Sequence, residues 1–171
     1  MTAPVASPRT VVTQDAVTVR PMRIEDLGEV TELFRTAGED ALHDRFFTLG
    51  DRVVAAHLAE LGAPSHPRCL VAVVDGRLVG IAEMAPVKAD TEEVAFLVAT
   101  GMHHHGIGTI LLSAAMADAR TRGVQTLVAD VLAANHLMLE VFRNAGATLS
   151  RAADEVHVAL PVNTTDSEHD D

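Results

Sequence analysis

Residues 98–112 read VATGMHHHGIGTILL, and this stretch joins a strand pattern to a helical pattern. Before it, residues 92–99 (EEVAFLVA) are suited to a strand, and after it apolar residues recur with helical spacing over 107–117. Gly106 and Gly108 therefore fall at a strand-to-helix turn, where backbone N–H groups and the helix dipole favour a bound phosphate. Many tight turns need glycine for steric reasons alone, so a G-x-G pair by itself leaves both interpretations open.

The run His103, His104 and His105 allows three interpretations. Three adjacent histidines cannot all point at one metal ion without contortion, and no cysteine or carboxylate cluster at ligand spacing accompanies them. We therefore predict no metal site, with zinc sensing kept as an alternative. The histidines are either exposed loop residues or residues that face a phosphate. In the second case, phosphate affinity would rise as the imidazoles gain protons toward pH 6.

The remaining sequence alternates strand and helix patterns in a consistent order. The predicted elements are a strand over 17–21, a helix over 24–38, a helix over 51–61, two strands within 69–87 joined at Asp75-Gly76, a strand over 126–132, a helix from Asn135 to Gly146 and a strand region over 148–160. Hairpin strands come first, and later strands are separated by helices. We therefore expect an α/β (α+β) fold with a mixed, mostly antiparallel sheet and helices on both faces.

Length and charge limit the range of functions. A chain of 171 residues fits one domain, which we place at 16–161 between a flexible tail over 1–15 and an acidic flexible tail over 162–171. A net charge of −11 argues against nucleic-acid binding and favours a cationic partner. No apolar run is long enough to span a membrane and no signal peptide is evident, so we expect a cytoplasmic protein.

The stretch 98–112 resembles the acetyl-CoA-binding motif of the GNAT acetyltransferases: Gln or Arg, two residues, Gly, one residue, Gly or Ala. His103 occupies the Gln/Arg position. The resemblance covers most of the domain, because VRPMRIEDL, DRFF, EEVAF and VLAANHLMLEVFRNAGA follow in the expected order. The last segment is similar to bacterial protein lysine acetyltransferases of the Pat type. The resemblance implies a GNAT-like fold, acetyl-CoA as co-substrate and N-acetyltransferase activity.

The resemblance also implies that Glu93 is the general base for the acceptor amine. A base is needed because only roughly one free lysine in a few thousand is neutral at pH 7. Strand alternation puts Glu93 on one face with Ala95 and Leu97, and such apolar neighbours would make its carboxylate a stronger base. The structural alternative is an ordinary carboxylate on a solvated sheet edge.

The residues implied to contact acetyl-CoA form three groups: strand backbone for the pantetheine arm, loop residues for the pyrophosphate, and helix residues near the thiol. They are Phe96, Leu97 and Val98; His103, His104, His105, Gly106, Ile107, Gly108 and Thr109; and Asn135 and Phe142. Asn135 is equally well explained as a plain helix N-cap. Phe142 stands where the family commonly has a general-acid tyrosine, and the chain has no tyrosine at all.

The acceptor that the resemblance favours is a protein lysine, for example on an acyl-CoA synthetase. A small amine is an open alternative, and so is a module that binds acyl-CoA as a sensor without turnover. The sequence does not indicate the oligomeric state.

Overall fold

The computed structural model describes residues 12–14, 16–46, 51–64 and 67–163. Its strands are β1 (Val12–Gln14), β2 (Val17–Pro21), β3 (Arg68–Val74), β4 (Arg77–Lys88), β5 (Thr91–Val98), β6 (Thr126–Leu132), β7 (Thr148–Ala152) and β8 (Glu155–Pro161). Its helices are α1 (Leu27–Thr36), α2 (Glu39–Phe46), α3 (Asp51–Leu61), α4 (Ile107–Thr121) and α5 (His136–Asn144). Within these residues, no helix is long and apolar enough to cross a membrane.

The strands form one sheet in the order β1-β2-β3-β4-β5-β6-β8-β7. Every neighbouring pair is antiparallel except β5 and β6, which run parallel and are connected through α4. A parallel pair needs such a crossover, whereas antiparallel pairs can be joined by short turns. The predicted mixed, mostly antiparallel sheet is confirmed.

Helices cover both faces of the sheet, as predicted, and each face has its own apolar core. On one face Val30 and Phe34 of α1 pack with strand residues such as Ile81. On the other face Leu111 of α4 and Phe142 of α5 pack against the sheet.

Gly80 of β4 lets α4 approach the sheet closely. A Cβ atom at this position would lie only 3.1 Å from the Ile107 Cγ2 and Leu111 Cδ1 atoms, and 3.3 Å from the Leu97 carbonyl oxygen. Such contacts are tighter than those of ordinary side chains, so glycine permits this packing distance. The first turn of α4 is thereby held against β4 beside the end of β5.

Local signals in the sequence located several elements well. Asp75 and Gly76 both have positive φ angles, 49° and 76°, as the predicted tight hairpin requires. The Asn135 side chain caps α5 by accepting a hydrogen bond from the Met138 N–H at 3.2 Å. Gly146 follows that helix with a φ of 92°, the left-handed conformation expected at a helix end. Helix α3 spans the predicted residues.

The structure also differs from the predictions. Strand β1 falls inside the segment predicted as a flexible tail, and α2 was not predicted. The predicted strand region over 148–160 is a hairpin, because the chain turns at Ala153, whose φ is 54°. Helix α1 begins later than predicted because the Asp26 carboxylate accepts from the Arg23 N–H at 2.7 Å and holds a separate short turn.

Buried chain is also described just beyond 161, where we expect the domain to end. Val162, assigned to the acidic tail, is fully buried and donates its N–H to the Gln125 carbonyl at 2.8 Å. Its own carbonyl accepts from the Arg120 guanidinium at 2.7 Å. The remaining predicted tail segments, 1–11 and 164–171, lie outside the described residues.

Candidate active site

Strands β5 and β6 pair over only three residues and then separate. The last paired residues are Glu93 and Val128. Beyond them lies a cleft of about 720 Å³ between the end of β5, the start of α4 and the start of α5. Ten of the twelve predicted cofactor-binding residues line it: Phe96, Leu97, Val98, His103, His104, Gly106, Ile107, Gly108, Thr109 and Asn135.

The turn into α4 presents unpaired backbone donors to this cleft. Gly106 is the N-cap residue of α4 and has left-handed backbone angles (φ 76°, ψ 8°). No side-chain hydrogen bond caps this helix end. The first intrahelical hydrogen bond runs from Ile110 N–H to the Gly106 carbonyl, so the N–H groups of 107, 108 and 109 precede the helical ladder. Together with the helix dipole, these donors form an anion-binding end. The Ile107 side chain is buried, so only its backbone is available to a ligand.

The three histidines have different positions. The His103 Nε2–H lies 3.1 Å from the Val98 carbonyl and donates to it at the cleft rim. His104 also lines the cleft and has a left-handed φ of 67°. His105 is exposed and is not brought to the lining of the cleft. Across the described ranges, no group of three or more His, Cys, Asp or Glu residues is arranged to hold a metal ion.

Glu93 lies at the point where β5 and β6 separate. It lines a smaller cavity of about 60 Å³, together with Asp130, Asn135, Met138 and Phe142. The expectation of an apolar environment is only partly met: apolar residues share this cavity, but Glu93 is exposed. Glu93 is the last β5 residue paired with β6, and its side chain projects from the face of the sheet, where it is left exposed.

Glu92 points to the opposite face and has a different role. It is 8% exposed, and its Oε2 accepts from Arg122 Nη2 at 2.8 Å. Arg122 also donates to Asp118 at 2.9 Å, and Arg68 donates to the same carboxylate at 2.6 Å. Burial alone would raise the pKa of Asp118, but its hydrogen bonds and charge contacts with Arg68 and Arg122 outweigh burial and lower it. Glu92 is therefore part of a structural ion-pair network.

Asn135, the N-cap of α5, and Phe142 of α5 both line the smaller cavity beside Glu93, whereas Phe142 does not line the larger cleft. Asn135 lines both cavities while its Oδ1 caps the helix, so its amide NH₂ group remains available as a donor. Phe142 is 1% exposed and meets Phe96 edge to face, with ring centroids 6.0 Å apart. Met138, which sequence reasoning missed, also lines both cavities. Its position three residues after Asn135 is the signal that could have identified it.

Two carboxylate–histidine pairs lie on the same face of the sheet as Glu93 and were not predicted from the sequence. Asp130 of β6 accepts from His157 Nδ1, and this hydrogen bond raises the pKa of His157. Glu83 of β4 is 5% exposed and lies 2.7 Å and 2.9 Å from His57 Nε2 through its two oxygens. Each carboxylate interrupts an apolar strand pattern, which is a usable signal. The histidine partners lie 26 and 27 residues away and give none.

Comparison with known proteins agrees with this architecture. The chain matches the acetyltransferase (GNAT) family over residues 29–147. The GNAT domain of S. lividans PAT has a TM-score of 0.71 at 26% identity, over 85% of this chain and 90% of that domain. A putative acetyltransferase, yncA from Salmonella typhimurium with its cofactor acetyl-CoA, has a TM-score of 0.67 at 22% identity, over 90% and 98%. PaiA N-acetyltransferase from Thermoplasma acidophilum in complex with coenzyme A has a TM-score of 0.64 at 17% identity, over 85% and 98%.

The fold is thus shared with solved GNAT acetyltransferases, and the family match covers more than half of the chain. The protein belongs to the acetyltransferase (GNAT) family. The predicted family, fold and enzyme class are confirmed.

Proposed function

We propose that the protein transfers the acetyl group of acetyl-CoA to a primary amine, with a protein lysine as the acceptor and Glu93 as the general base. The observation that carries this proposal is the position of Glu93. It is the last residue of β5 that pairs with β6, at the point where the cleft opens.

The cleft fits acetyl-CoA in three respects. The donors at the start of α4 suit a pyrophosphate, since they are backbone N–H groups without a helical partner. The β5 backbone beyond Glu93 has no paired residue on β6, so a pantetheine arm with its amides can bond there as an added strand would. His103 already donates to the Val98 carbonyl, so a pantetheine N–H bound at that carbonyl would replace the imidazole. Two proteins with this fold were solved with acetyl-CoA or coenzyme A.

Bound acetyl-CoA would supply an activated acyl carbon as a thioester. The chain's own residues orient the acceptor and accept its first proton: the Glu93 carboxylate takes one proton from the ammonium form of the amine, and the neutral nitrogen then bonds to the acyl carbon. Because Glu93 is exposed, it can exchange this proton with water. Phe142 has no proton to donate, so the departing sulfur receives, through solvent, the proton that the nitrogen loses as the carbon–sulfur bond breaks.

Two observations support a protein lysine as the acceptor. The GNAT domain of PAT is 26% identical to this chain over most of both lengths. The net charge of −11 would attract a cationic lysine segment over long distances. An acyl-CoA synthetase is the first protein substrate to test.

The test combines binding and turnover in one preparation. Calorimetric titration with acetyl-CoA measures affinity, and free-thiol release measures turnover with lysine peptides, a purified acyl-CoA synthetase and small amines. We expect binding, and turnover that is fastest with the lysine substrates. Binding without turnover of any acceptor would instead indicate a sensor module, and no binding would refute the proposal.

A further inference from the structure

We infer that Asp130 is a specificity-determining residue that selects acceptor amines carrying a second positive charge nearby. The inference rests on the proposed function and extends it by naming the chemical class of the acceptor. Asp130 lies on β6, the strand next to β5, just beyond the point where the two strands separate. Asp130 and Glu93 line the same small cavity.

Strand register places Asp130 on the same face of the sheet as Glu93. Glu93 pairs with Val128, and residues two apart on a strand share a face, so Asp130 follows Val128 on that side. The alternate residues Ala129 and Val131 are buried in the core on the other face. Asp130 is exposed, which leaves its carboxylate accessible to an acceptor that approaches Glu93.

Of the two carboxylate oxygens of Asp130, one accepts a hydrogen bond and the other has no partner among the described residues. Oδ1 accepts from His157 Nδ1, the residue directly opposite on β8. Within the described part of the chain, no hydrogen bond involves Oδ2. The histidine therefore fixes the orientation of the carboxylate while half of its acceptor capacity remains for a ligand. The side chains of Asp130 and His157 are 49% and 53% exposed, so the pair lies at the mouth rather than in the core.

The spacing defines which acceptors reach both carboxylates. Two residues along a strand cover about 6.7 Å and paired strands lie about 4.8 Å apart, so the backbones at Glu93 and Asp130 are about 8 Å apart or more. An amine at Glu93 can then be joined by a second cation at Asp130 if the two charged groups can lie about 8 Å apart or less. The small side chain of Ala95, next on the same face after Glu93, leaves room between them. Alkyl diamines and a lysine beside another basic residue share this chemistry.

The test compares acceptors that differ only in the second charge. With 1,4-diaminobutane and 1-aminobutane as acceptors, we expect the wild-type enzyme to have the lower KM for the diamine. Asp130→Asn should raise the ratio of the diamine KM to the monoamine KM about threefold to tenfold, as loss of a partly exposed charged contact does. Asp130→Glu, which keeps the charge, should retain part of the preference. Asp154→Asn, the same change at an exposed turn that lines neither cavity, should change nothing.

Peptides distinguish the two sources of the second charge. A lysine peptide with a neighbouring arginine, compared with its alanine counterpart, should show the same dependence on Asp130 if the acceptor is a protein. Equal kcat/KM for both members of each pair, or an equal effect of Asp130→Asn on both, overturns the inference and leaves the proposed function standing. Failure to acetylate any amine overturns both.

Discussion

Replacing Glu93 by glutamine provides the sharpest test of the reasoning about the active site. Glutamine keeps the shape and removes the base, and general-base catalysis contributes about 10²–10⁴-fold, so kcat at pH 7 should fall by that factor. Glu93 is exposed and has no ion-pair partner among the described residues, so the free energy of unfolding should change by less than about 0.5 kcal/mol. Because Glu93 does not line the larger cleft, the Kd for acetyl-CoA should stay the same.

The adjacent residue offers a matched control. Glu92→Gln is the same chemical change one position earlier, on the buried face, where it removes one of the two carboxylates that hold Arg122. Since Asp118 still pairs with Arg122, we expect a loss of about 2 kcal/mol in stability, less than for complete loss of a buried ion pair. The folded Glu92→Gln enzyme should keep its kcat.

The assay is thiol release with a saturating lysine peptide between pH 7 and 9, with urea unfolding of each variant. Without a base, the reaction depends on amine that is already neutral, a fraction that rises about 100-fold over this range. The Glu93→Gln rate should therefore climb more steeply than the wild-type rate. A Glu93→Gln enzyme within threefold of wild type at pH 7, or one whose loss parallels a loss of stability, would refute the assignment of Glu93 as base.

Three further predictions concern the cofactor loop, α5 and the ion-pair network. Gly106→Ala puts a side chain at a position with left-handed backbone angles, so stability should fall by about 1 kcal/mol. Calorimetry should give a Kd for acetyl-CoA that is raised about tenfold. An unchanged Kd would contradict the role of this turn in phosphate binding. Asn135→Asp keeps the capping oxygen but loses the amide NH₂ donor, so its melting temperature should match wild type while thiol release slows. Asn135→Ala also removes the cap and should lower stability by about 1 kcal/mol. If only Asn135→Ala loses activity, Asn135 is merely a helix cap. Burial would raise the pKa of Asp118 in the folded state, but the contacts with Arg68 and Arg122 outweigh burial and lower it. The ionised Asp118 carboxylate therefore stabilises the folded state. This contribution is complete above the unfolded pKa of about 3.9 and is lost as pH falls through the lower folded pKa. Urea midpoints should drop below about pH 4 in wild type, and Asp118→Asn should be less stable at pH 7 by about 3 kcal/mol, with a smaller drop in acid; parallel pH profiles would contradict this.

Local chemistry explains which parts of the fold were predictable. Asn135 and Gly146 carry capping preferences that act within one helix, and Asp75-Gly76 specifies a hairpin through its own backbone angles. The glycine turn at Gly106 marked the start of α4 for the same reason. Such signals are complete within a few residues, so a single sequence is enough to read them.

The parts that were missed depend on contacts distant in sequence. Nothing near Asp130 shows that His157 will lie opposite, because that pairing follows from the strand order β6-β8. The exposure of Glu93 likewise depends on what packs over that face of the sheet, which alternation along one strand cannot show. Strand β1 is only three residues long and is too short to give a periodic signal.

The separation of β5 from β6 has a consequence for sequence drift. A strand edge that recognises a ligand through peptide groups places little demand on the identity of its side chains. Phe96, Leu97 and Val98 could be exchanged for other apolar residues of similar volume without removing any N–H or C=O from the cleft. Distantly related chains can therefore retain this mode of recognition after their strand sequences have diverged, whereas a position such as Gly80, where added bulk meets α4, has far less freedom to change.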